Sequence, residues 1–137
     1  MAAATKDRDT QEVPGRLRNF PVLANAIGFA GTMQAVTAAG FLTPGATSAT
    51  LKCVGVLHQP YNNTGGANGA ISADVVRGIF GPFANSAAGD AIAVADVGAD
   101  CYMVDDQTVA KTNGSSTRSV AGKVHHVDAQ GVWVRFD

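Results

Sequence analysis

The chain is poor in cysteine, in charge and in any surplus of one sign, and each shortage removes a class of protein. Its two cysteines, Cys53 and Cys101, lie far apart inside apolar runs, which suits buried free thiols better than the disulfide framework of a small secreted scaffold. A single bridge between them stays open on sequence alone. Charged residues make up 15% of the 137, with ten Lys and Arg against eleven Asp and Glu and a formal net charge of -1. Nucleic acid requires a clustered basic excess that releases counterions, so it is not expected as a partner. Residues 21–51 hold no charge, but Asn25, Gly28, Gly31 and Gln34 interrupt their most apolar part. A spanning helix needs greater apolar density, so no membrane is expected as a partner either. The acids Asp7, Asp9 and Glu12 near the start are out of place in the basic leader of a signal peptide.

Catalytic and ligand-binding motifs are equally scarce. There is no P-loop, and Gly65-Gly66-Ala67-Asn68-Gly69 follows neither that spacing nor the dinucleotide one, so its glycines are assigned to turns. His125 and His126 are adjacent, but neighbours on a strand face opposite ways and cannot easily share a metal. The expectation is one surface histidine beside a half-buried one. His58 and the cysteines lie elsewhere, so no metal and no cofactor are expected. Asp105-Asp106 lacks the spaced ligands of a calcium loop and is read as a turn. The Asn62-Asn63-Thr64 and Asn113-Gly114-Ser115 sequons are read the same way. Nothing places a nucleophile beside a base, so an enzyme is not expected.

What remains is a folded, nearly neutral body, 46% hydrophobic and of single-domain length. Residues 1–18 differ from the rest: their charges alternate in sign, Pro14-Gly15 breaks any helix, and little is available to bury. They are read as a flexible arm, able to lie across a neighbouring subunit, with residues 19–137 as one β-rich domain. A loose tail without a role is the plain alternative. In the arm reading, Arg16 and Arg18 meet carboxylates on a neighbour while Phe20 and Pro21 anchor the arm's exit.

From Phe20 onward, short strands alternate with Gly- and Asn-rich turns, and no helical period holds for three turns. Residues 51–58 and 71–80 are expected as central strands joined by a long exposed loop over 59–69. Further strands are expected at 91–94, at 101–104 with 108–111 as a hairpin, and at 119–127 with 132–136 as a closing pair. In the last strand Val132, Val134 and Phe136 face one way. The fold class is therefore all-β, a small β-barrel or β-sandwich with an extended N-terminal arm.

Several segments carry a family resemblance. Gly89-Asp90-Ala91-Ile92, the run Ala95-Asp96-Val97-Gly98-Ala99-Asp100-Cys101-Tyr102-Met103-Val104-Asp105-Asp106-Gln107-Thr108-Val109, and the ending Arg118-Ser119-Val120-Ala121-Gly122-Lys123-Val124 with Val127-Asp128-Ala129-Gln130-Gly131-Val132-Trp133-Val134 resemble head-decoration (capsid cement) proteins of tailed bacteriophages. Asn63-Thr64-Gly65-Gly66-Ala67 and Arg77-Gly78-Ile79-Phe80 fit the middle of that family; Lys123 and His125-His126 depart from it. The resemblance covers most of the chain after Gln34, and its motifs mark turns and strands rather than chemistry. It implies a β-rich subunit, a dimer or trimer, made in the host cytoplasm and bound to the outer surface of the virion. Its partner there would be the major capsid protein, with neighbouring capsomers tied together. Another virion module, such as a tail or fibre-attachment component, is the second reading. A small-molecule barrel lined by Trp133, Tyr102, Phe80 and Phe83 is the third.

Overall fold

A computed structural model describes residues 2–137. The chain is all-β, with two short 3-10 turns as its only helical elements among the described residues. Residues 2–16 carry no regular element and are exposed. Strand β1, Leu17–Pro21, opens inside the eighteen residues expected as the arm, so Leu17 and Arg18 belong to a sheet.

The first half builds a five-stranded antiparallel sheet. In chain order its strands are β1, β3 (Met33–Val36), β4 (Leu42–Pro44), β5 (Lys52–Leu57) and β7 (Ser72–Val76); in space they run β1-β7-β5-β3-β4. The sheet curls, because Val22, just beyond β1, bridges Leu42 on the far edge strand and Leu23 N–H donates to Leu42 C=O at 2.9 Å. Inside the curl lies one apolar cluster, formed by Val22, Leu42, Val54, Leu57, Tyr61, Ala73 and Val75.

The second half closes on itself. Strands β8 (Gly78–Asn85), β9 (Asp100–Met103), β10 (Thr108–Ala110), β11 (Val120–Asp128) and β12 (Gly131–Phe136) form a barrel in the order β10-β8-β12-β11-β9. β9 and β10 are the expected hairpin. The closing pair β11 and β12 is also present, and Val132, Val134 and Phe136 turn inward at 0%, 0% and 3% exposure. Alternation of period two thus fills the barrel core. That core also takes Met33, Ala35 and Val56 from the five-stranded sheet, which joins the two halves.

Three expected elements differ. Residues 71–80 were read as one strand, but they divide between β7 and β8, which belong to different sheets. The break falls at Arg77, and Gly78, which opens β8, has a φ of +137° that a side-chain-bearing residue adopts at a cost. The loop over 59–69 is not wholly exposed. Tyr61–Asn62 forms strand β6 and pairs with β2, Ile27–Gly28, while Tyr61 and Asn63 are buried at 7% and 3% exposure. Residues 91–94 form no strand; 91–93 link 3-10 turns at Ala88–Asp90 and Val94–Asp96, and Val94 opens the second. The side chain of Asn85 takes the place of a strand partner there, bonding both Ile92 N–H and Ile92 C=O at 2.8 Å. Segment 20–39, in contrast, holds strands and turns as expected, with no helix.

Candidate partner-binding surface

The four residues assigned to partner binding sit on or beside β1. Its register against β7 pairs Arg18 with Val75 and Phe20 with Ala73, and both of those partners face the curled core. Phe20 is partly buried against that core. Arg18, on the same face one step earlier, reaches Val54 C=O with Nη2 at 2.8 Å and places its guanidinium carbon 5.4 Å from the Phe20 ring centre. The carbonyl it meets belongs to a β-bulge: Gln34 pairs with Gly55 and Ala35 with Cys53, which leaves Val54 as the extra residue. Arg18 thus satisfies a backbone acceptor that the ladder cannot.

Arg77 lies next to it. Arg77 N–H donates to Arg16 C=O at 2.8 Å and its Nε donates to Gly15 C=O at 2.7 Å, which fixes where the arm leaves the sheet. Burial, and then the nearby Arg77 charge, pull the Arg18 guanidinium below its ordinary pKa. Arg18 Nε is buried without a hydrogen-bond partner. Among the described residues, none of Arg16, Arg18 or Arg77 takes part in an ion pair; the five pairs present involve Lys111, Arg118, Lys123, His126 and Arg135. The structure therefore brings Arg16, Arg18 and Arg77 to one corner. Arg77 was not anticipated, although its place in register opposite Arg16 follows once β1 is paired. Pro21 ends β1 on the opposite face, beside Ser72.

The other sequence candidates resolve as structural parts. Both His125 and His126 are exposed, which corrects the expectation that one would be half-buried. The β11–β12 register shifts between Val124 and His126, so a bulge at His125 disturbs the strict alternation on which that expectation rested. His126 Nε2 lies 3.5 Å from Asp128. Asp105-Asp106 forms the β9–β10 turn, where Asp105 accepts from Gln107 N–H at 2.9 Å and Asp106 C=O accepts from Met33 N–H at 2.8 Å. Burial, and then its acidic neighbour, raise the Asp106 carboxyl above the usual range. No group of three His, Cys, Asp or Glu side chains is placed to hold a metal among the described residues.

Phe80 and Phe83 pack on Phe136 with ring centres 6.4 and 5.8 Å away. The clefts are open and shallow. One of about 360 Å³ lies between β5 and the barrel and is bordered by Lys52, Cys53, Asp100, Lys123 and Arg135. No helix among the described residues is long and apolar enough to cross a membrane. Comparison of the chain with protein-family models, with curated proteins and with solved structures finds no match.

Proposed function

We propose that this chain is a virion structural protein that binds the outer surface of an assembled phage capsid and stabilises it by bridging neighbouring capsomers, as a binding protein rather than an enzyme. The observation that carries the reading is where the resembling segments fall. Ala95 to Val109 and Arg118 to Val134 supply β9, β11 and most of β10 and β12, four of the five strands of the closed barrel. The two longest resembling segments thus fall in one structural unit, while the shorter one at Asn63-Thr64-Gly65-Gly66-Ala67 lies in the loop beyond β6.

The form of the molecule supports the same reading. Chemistry on small molecules favours an enclosed, largely apolar pocket with converging polar groups, and the clefts here are open. An exposed arm beside an unpaired group of arginines suits contact with another protein. In a cyclic oligomer set on a capsid symmetry axis, several equal contacts act together, so each interface can be modest while the whole stays bound.

The test is co-sedimentation of purified protein with undecorated, expanded phage capsids, with unexpanded procapsids and free protein as controls. Saturable binding at a simple ratio per capsomer is expected. Absence of binding to every capsid form would remove this reading in favour of a tail or fibre-attachment role.

A further inference from the structure

The free side of β1 is defined by its pairing with β7. Val22 N–H bonds Ile71 C=O and Arg77 N–H bonds Arg16 C=O, so the even-numbered residues make the ladder. By antiparallel alternation, the backbone groups of Leu17 and Asn19 point away from β7. This edge is open over residues 17–19, before β4 closes on it where Val22 bridges Leu42, and Leu17 is 49% exposed. Its two faces differ in charge. Arg16, Arg18 and Arg77 share one face by register, whereas Asn19 bonds Asp74 on the other at 2.9 Å.

The arm carries the complementary pattern. In an extended chain, Asp7, Asp9, Gln11 and Val13 fall on one side and Lys6, Arg8, Thr10 and Glu12 on the other. Its alternating charges therefore sort into a side led by two acids and a side led by two bases. These residues are all exposed, Val13 at 79%. The arm of the same chain is badly placed to return, because the bond from Arg77 to Gly15 C=O holds its exit at the β7 side of the strand.

We propose that the open edge of β1 is a docking site for the N-terminal arm of a second copy of this chain, paired along residues 17–19 with Asp7 and Asp9 on the arginine side and Lys6 and Arg8 on the Asp74 side. An added strand supplies partners for the outward backbone groups. Its acids face the guanidiniums of Arg16 and Arg77, which have no carboxylate partner among the described residues, while that of Arg18 is turned across β7 to Val54 C=O. Ten extended residues reach on the order of 30 Å, enough to cross to a neighbour. Reciprocal arm exchange of this kind closes a cyclic oligomer without leaving an edge open.

The experiment is sedimentation velocity of the full chain, without capsids, over a range of concentration and salt. It is compared with a chain lacking residues 2–13 and with Leu17→Pro, which removes an outward N–H while keeping the β1–β7 ladder. The full chain is expected to self-associate, and both variants to raise the dissociation constant by about tenfold or more, the scale of losing one small interface. Asp7→Lys with Asp9→Lys should weaken association, and Arg16→Asp added to them should restore part of it. Circular dichroism checks that Leu17→Pro folds, and the truncated chain carries the test if it does not.

A full chain that stays monomeric overturns the proposal, as does association unchanged by the truncation. Hydrogen-exchange protection of the arm in a monomer overturns it too, by showing that the edge holds its own arm. Because no capsid is present, capsid binding by a monomer would leave the proposed function standing and remove this inference alone.

Discussion

Tyr61 joins the curled sheet's core to a buried polar pair. Its hydroxyl donates to Gln34 Oε1 at 2.7 Å, and Gln34 Nε2 donates to Thr32 at 3.0 Å. Gln34 is fully buried, so its amide oxygen has no water to fall back on. Burial raises the phenol pKa, which keeps the group a donor throughout the physiological range. Tyr61→Phe removes the donor and leaves a buried acceptor unmet, an effect of about 1–3 kcal/mol. Urea unfolding should show that loss, and Tyr61→Phe combined with Gln34→Met should cost less than the two changes added, because the pair is removed together. The thiols behave differently. Burial pushes Cys53 up to about 12 and Cys101 up to about 11, from a starting value of 9.0. Their folded pKa values lie above the unfolded ones, so the stability they contribute is complete below about pH 9 and is lost progressively from there up to the folded values. Native protein at pH 8 should therefore react slowly with a thiol reagent at both positions, and quickly once unfolded. The denaturation midpoint should fall between pH 8 and pH 10.5 by more than it does in Cys53→Ala/Cys101→Ala.

At the scale of elements, the β-bulge at Val54 explains why Arg18 belongs to the fold and Arg16 does not. Arg18→Met keeps the apolar stem over Phe20 but leaves Val54 C=O without its donor. It also relieves the repulsion from Arg77, so the net loss expected in thermal unfolding is modest, about 1–2 kcal/mol. Arg16→Met should change stability by less than about 0.5 kcal/mol, since its side chain is exposed. In the sequence both arginines belong to a flexible arm, because residues before Phe20 carry almost no apolar signal. Register against β7, a long-range pairing with no local mark, draws Arg18 inward. Strands with clear alternation, such as Val132 to Phe136, were legible because burial there follows the side-chain period. The segment 71–80 was misread because its apolar run continues through the corner at Gly78, and no local signal marks a change of sheet. Residues 91–94 look like a strand in composition, yet Ile92 alone is buried among them and its backbone bonds go to a side chain. Tyr61 and Asn63 were lost to the turn-rich composition around them. Of the candidate surface, Arg16, Arg18, Phe20 and Pro21 were named from chain position, but Arg77 depends on pairing across more than fifty residues.

For the whole molecule, the question is whether the curled sheet and the closed barrel behave as one unit or two. Each has its own apolar cluster, which alone would allow separate unfolding. The strands that divide them argue otherwise. β5 sends Val56 into the barrel core and Val54 and Leu57 into the sheet core, and Met33 and Ala35 on β3 also pack with the barrel. Further bonds tie the halves: Met33 N–H to Asp106 C=O at 2.8 Å, and Ser119 Oγ to Ser48 C=O at 2.6 Å. Opening either half would expose apolar surface of the other, so the two should unfold in a single transition. Trp133 lies on the barrel strand β12 and reports on that half alone. Val75 is fully buried in the sheet core, and Val75→Ala removes two methyl groups there at a cost of about 2 kcal/mol. If the molecule is one cooperative unit, this change lowers the midpoint followed by Trp133 fluorescence as much as the one followed by far-ultraviolet circular dichroism. A Trp133 midpoint left unmoved while the dichroism transition broadens would show that the barrel stands alone.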